Sequence, residues 1–106
     1  MKVYFKMRDG AVAKGEYDFD SKQLVVLKGS AVSKSVCHPA SFRGAKLIEQ
    51  NRKNSVKNGK VIKDITFTSA STAANFVTGY STNGLISWKD ENGRKLKDII
   101  AEQNNA

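Results

Sequence analysis

Between Ser69 and Gly79 the chain repeats small apolar residues at helical spacing, with Ala70, Ala73, Ala74 and Val77 at i, i+3, i+4 and i+7. This stripe limits the possible folds more than any other segment, because a helix faced with alanine buries that face only by approaching its neighbour closely. Ser69 is placed to cap the helix start, and Gly79 stands where a left-handed residue closes a helix end. The spacing predicts a central helix over 69–79, packed tightly on a sheet.

The first third of the chain supplies that sheet. Val3, Phe5 and Met7 alternate with Tyr4 and Lys6, the period-2 pattern of a half-buried strand, and Asp9-Gly10 is a hairpin turn signal. A returning strand over 11–17 is followed by a polar turn at 18–21. Leu24-Val25-Val26-Leu27 is the most apolar run and predicts a central strand of an antiparallel meander. Residues 29–39 are small and polar without period and read as a surface loop. Ser41 is placed to cap a short helix through Phe42, Ala45, Leu47 and Ile48, and residues 51–59 read as a polar, basic connection. A further strand is predicted over 61–67. After the central helix come a turn at Asn83-Gly84, a short strand over 85–88, a turn at Asn92-Gly93, a helical turn over 96–101 and a frayed tail. The order predicts one α+β domain over residues 1–106: an antiparallel sheet opened by the N-terminal meander, with two or three short helices packed on one face.

The 106 residues carry a net charge of +8, and its placement is uneven. Residues 1–63 hold 14 Lys and Arg against 5 acids, whereas residues 64–106 hold 4 against 5. The densest cluster is Arg43, Lys46, Arg52, Lys53, Lys57, Lys60 and Lys63, opposed over that stretch only by Glu49. A cluster of this kind follows a phosphate backbone, or it serves as a solvated face that keeps a small protein in solution. Arg43 and Lys46 are one helical turn apart, and with Arg52 and Lys53 they are the residues expected to touch phosphates. No segment approaches the roughly 18 unbroken apolar residues of a membrane span, and the start of the chain lacks the apolar region of a secretory signal. The expected compartment is the cytoplasm, and no membrane partner is expected.

Catalysis and metal binding are hard to build from these residues. The chain holds one histidine, His38, beside one cysteine, Cys37. Neighbours in an extended loop point apart, so they do not form a nucleophile–base pair, and two ligands do not fill a zinc site. No enzyme activity, metal or cofactor is expected. Two segments suit a ligand better. The start of the central helix offers backbone N–H groups and the hydroxyls of Ser69 and Ser71 to an anion, plain capping being the other role for these serines. Trp88 beside Lys89 suits a base stacked on the indole with its phosphate on the ammonium, a place in the core being the other role for this tryptophan.

The order of segments also resembles a known family. Ala13-Lys14-Gly15-Glu16-Tyr17, Leu24 to Ser30, Asp64 to Ala74, Val77-Thr78-Gly79, Asn83-Gly84 and Trp88-Lys89 resemble the domain-of-unknown-function 4357 family over nearly the whole chain. The Ser-x-Ser-x-x-Ala helix followed by Asn-Gly and Trp-Lys is also similar to the RAMA module associated with adenine methylases. The resemblance implies an accessory module of the kind found with GIY-YIG-type nucleases and restriction-modification proteins, and hence a nuclease or methyltransferase as partner. Two positions differ from the family pattern. Ala70 replaces a proline that only preorganises the first helical turn. Leu85 replaces a frequent tryptophan, which either removes a ligand contact or repacks the core. The expected function is a non-catalytic module that binds DNA, or RNA, through phosphates. The alternative is a protein-interaction or structural domain that docks onto a partner enzyme.

Overall fold

Alternation in the first 26 residues sorts side chains onto two faces, and the computed structural model, which describes residues 1–7, 10–33 and 45–104, shows the result. Strands β1 (Lys2–Lys6), β2 (Val12–Tyr17) and β3 (Leu24–Val26) bury Val3, Phe5, Ala13, Tyr17, Leu24 and Val26 on one side. On the other side Lys2, Lys6 and Lys14 are exposed. A further strand, β6 (Ile65–Phe67), completes a four-stranded sheet of order β1-β2-β3-β6, antiparallel throughout. The meander and the interior position of β3 are those read from the sequence.

Helix α2 (Ala70–Thr78) lies on the buried face and carries the predicted caps. The Ser69 hydroxyl accepts from the Thr72 N–H at 3.1 Å, and Gly79, at φ 80°, donates its N–H to the Asn75 carbonyl at 2.8 Å. Ala70, Ala73, Ala74 and Val77 are buried, as their spacing requires. Phe76 meets Phe67 of the sheet at 5.0 Å between ring centroids. Alanine at the contact lets the helix backbone approach closely, and the larger Phe76 and Val77 fill the space to either side.

Four regions differ from the sequence expectation. Helix α1 (Ala45–Ser55) continues five residues into the predicted basic connection, and strands β4 (Val56–Lys57) and β5 (Lys60–Val61) follow it as a tight hairpin. Its turn residues Asn58 and Gly59 have φ of 54° and 76°, the paired positive values of a type I′ turn. The strand predicted over 61–67 is therefore divided between β5 and β6. The expected loop after residue 29 begins inside the molecule. Ser30 is buried, with its hydroxyl bonded to both the N–H and the carbonyl of Lys14 at 2.8 and 3.0 Å. Residues 34–44, including Cys37, His38 and the predicted cap Ser41, lie outside the described residues.

The third difference is α3 (Gly84–Ser87), one helical turn where a strand is predicted. Asn83 caps it, its side-chain oxygen accepting from the Leu85 N–H at 3.0 Å. Leu85 and Ile86 are exposed, so the apolar run does not mark a buried strand. Extended backbone resumes at Lys89, which exchanges hydrogen bonds of 2.7 and 3.0 Å with Tyr4 along the free edge of β1. Finally, α4 (Leu96–Asn104) runs through most of the predicted tail, seated by buried Leu96 and Ile99. Among the described residues no helix is long and apolar enough to cross a membrane.

Candidate nucleic-acid interface

The residues singled out from the sequence divide into those whose polar groups are consumed inside the fold and those that face solvent. Arg52 is consumed. Its Nε donates to the Phe76 carbonyl at 3.0 Å, Nη1 to the Ser33 carbonyl at 2.8 Å, and Nη2 to the Ser33 hydroxyl, the Phe76 carbonyl and the Val77 carbonyl at 2.9, 2.7 and 3.1 Å. The guanidinium also lies 5.9 Å from the centre of the Phe76 ring. The carbonyls at the end of α2 lack intrahelical partners and form the negative end of the helix dipole, so a cation with several donors suits them. Burial lowers the Arg52 pKa from its usual value, because lost hydration disfavours the charged form. Arg52 is thus a clamp joining α1, α2 and the chain at Ser33, and the phosphate contact expected of it is corrected.

Trp88 is corrected on similar grounds. It is fully buried, its indole N–H donates to the Ala70 carbonyl at 3.0 Å, and Phe5 packs edge-on against it at 5.5 Å. A base cannot stack on it. The N-terminus of α2 is also engaged. The Ser71 hydroxyl accepts from the Gly84 N–H at 3.1 Å, and the Ser69 hydroxyl meets both the Thr72 N–H and the Thr72 hydroxyl. Gly84 sits so close that a Cβ there would fall 2.2 Å from the carbonyl carbon and oxygen of Ala70 and 2.5 Å from the nitrogen of Ser71. Of the two roles weighed for Ser69 and Ser71, the geometry matches capping and internal bonding. The helix start is covered by Gly84 where an anion would have to approach.

This geometry accounts for the motif residues as one packed unit. A family model described as "Domain of unknown function (DUF4357)" matches residues 3–100. The chain belongs to that family. The match runs from β1 into α4, so the DUF4357 unit includes the sheet and every helix set against it. Within this DUF4357 domain, Ser69, Ser71, Asn83-Gly84 and Trp88 lock α3 onto the start of α2. Leu85 is 39% exposed and takes no part in the core. No curated protein and no solved structure matches the chain.

The cations that do face solvent are lysines. Lys46 and Lys53 are exposed and seven residues apart on α1, hence two turns apart on nearly one face. Arg43, expected one turn before Lys46, lies outside the described residues. The β4–β5 hairpin then places Lys57 and Lys60 directly opposite each other, both exposed. Like charges in that register repel, so the hairpin holds a concentrated positive charge at a cost in stability. Among the described residues none of these four ammonium groups is in an ion pair with a carboxylate. The sequence contained a signal for this hairpin, since Asn58-Gly59 favours a type I′ turn, but its two-residue strands are too short to show a period. Lys89 is exposed beside buried Trp88, because neighbouring residues in extended backbone point to opposite faces. No group of three or more His, Cys, Asp or Glu residues is placed to hold a metal among the described residues.

Proposed function

We propose that this DUF4357 domain is a non-catalytic accessory module that binds nucleic acid through phosphate contacts, working in the cytoplasm beside a nuclease or a restriction-modification enzyme. The observation that carries this reading is the register of the hairpin, which holds Lys57 opposite Lys60 directly after the helix that bears exposed Lys46 and Lys53. A polyanion relieves the repulsion that the fold tolerates there and releases its own counterions on binding. With four phosphates neutralised, log K falls with log salt at a slope of about −3.6 on duplex DNA, or roughly a hundredfold loss between about 50 and 200 mM salt. Titration of labelled DNA and RNA at those two salt concentrations is the test. The reading expects steep salt dependence, removed by joint charge reversal of Lys46, Lys53, Lys57 and Lys60. Absence of binding at the lower salt, or binding indifferent to the four reversals, contradicts it.

Leu85 and Ile86, 39% and 44% exposed on α3, support the second reading, docking onto a partner enzyme through apolar contacts. Affinity for such a partner would change little with salt and would fall on replacing these two residues with serine.

A further inference from the structure

The face of the four-stranded sheet turned away from α2 carries a cross-strand row that the linear sequence conceals. Lys14 on β2 lies opposite Tyr4 on β1, Tyr4 is bridged to Lys89, and Lys89 is bridged to Lys95. Residues directly opposite in antiparallel pairing project to the same face, so Lys14, Tyr4, Lys89 and Lys95 form a single row. At about 4.8 Å per strand the row is roughly 14 Å long. Lys2 and Lys6 stand two residues to either side of Tyr4 on the same face. All five lysines are exposed, and Tyr4 is half-buried beside a cleft of about 430 Å³ that Lys6 and Lys89 also line.

We propose that this face binds single-stranded nucleic acid, with a base stacked on Tyr4 and the flanking phosphates on Lys6, Lys14 and Lys89. The inference rests on the nucleic-acid reading above and adds the strandedness of the ligand and a second contact surface. A ring set among ammonium groups on an open sheet offers what an unpaired base with its backbone requires, a stacking surface and charge at short range. In a duplex both faces of each base are already covered by neighbours, so Tyr4 gains nothing from double-stranded DNA. The acids nearby leave the face positive. Glu16 meets the chain's amino group at 3.4 Å, and Asp90 turns one carboxylate oxygen onto the backbone N–H groups of Asn92 and Arg94, both at 2.9 Å. Glu91 also lines the cleft and is the one exposed carboxylate there among the described residues.

The test is fluorescence anisotropy with labelled oligo-dT, oligo-U and a duplex, each of about 12 nucleotides or base pairs, within the usual site size of such modules. Tyr4→Ala is expected to weaken binding of both single strands about tenfold and to leave the duplex within about twofold, while Tyr4→Phe retains wild-type affinity. The double reversal Lys14→Glu with Lys89→Glu, on exposed side chains, is expected to weaken single-strand binding even more. It supplies the answer if Tyr4→Ala does not fold, which a thermal melt decides. Single strands bound equally by wild type, Tyr4→Ala and the double reversal overturn this inference, and the hairpin reading survives if its own charge reversals still act. Loss of duplex and single-strand binding in equal measure on Tyr4→Ala also overturns it. Failure of wild type to bind any of the three probes overturns both.

Discussion

The start of α2 and the hairpin after α1 use polar residues in opposite ways. At the start of α2 every motif group has an internal partner: Ser69 on Thr72, Ser71 on Gly84, and Trp88 on the carbonyl of Ala70. At the hairpin, Lys57 and Lys60 face each other with no carboxylate among the described residues to separate them. The first region spends these side-chain groups on the fold itself. The second holds charge that the fold does not compensate, and such regions are where a partner's charge changes the energy most. The motif residues at the start of α2 therefore build the fold, and the hairpin lysines face solvent.

This contrast can be broken most severely at Gly84. Gly84→Ala forces a Cβ into the backbone of α2, which has no flexible side chain to yield, and is expected to cost about 3 kcal/mol or more. Thermal melting should show a fall in Tm on the order of 15 °C. A variant that melts like the wild type would mean that α3 is not held against α2 as described.

Arg52→Ala comes next. It strands the carbonyl of Phe76, while that of Val77 keeps the Ser33 N–H at 2.8 Å, and is expected to cost about 2 kcal/mol, with only part recovered by Arg52→Lys because an ammonium lacks the planar fork. Chemical denaturation measures this, and oligonucleotide affinity of the folded fraction should stay unchanged. Reduced affinity at unchanged stability would return Arg52 to the binding surface. Smallest is Ser69→Ala, which removes one cap and is expected to cost about 1 kcal/mol, again with no effect on affinity.

Local chemistry explains which parts of the structure were legible beforehand. The meander follows from alternation, and α2 was bounded at both ends because Ser69 and Gly79 each serve a specific backbone need. The turn over 84–87 was misread as a strand because Leu85, Ile86 and Trp88 are apolar, although only Trp88 is buried. There Asn83 acts as a helix cap and Gly84 as a point of close approach, and neither role is visible until α2 is in place. The reach of α1 to Ser55 was hidden by its polarity, since a helix anchored by Ile48 and Arg52 needs few apolar residues. At the candidate site, Lys46 and Lys53 are exposed on α1, Lys53 on a helix where a connection is predicted. Arg52 resembles them in sequence, and only the carbonyls at the end of α2, 24 and 25 residues away along the chain, separate it from them. The row through Tyr4 was invisible for the same reason, because Lys14, Lys89 and Lys95 reach it only through strand pairing.

Lys57→Glu alone distinguishes hairpin lysines that bind phosphate from Arg52, which holds the fold. The substitution replaces a repelling pair with an attracting one across the strands, so thermal stability should hold or rise slightly, by about 0.5 kcal/mol. In the same sample, affinity for duplex DNA at low salt should fall by about tenfold, with the salt slope reduced by more than one unit because a phosphate contact is replaced by a repulsion. A variant at least as stable as the wild type that binds DNA equally well would contradict the account.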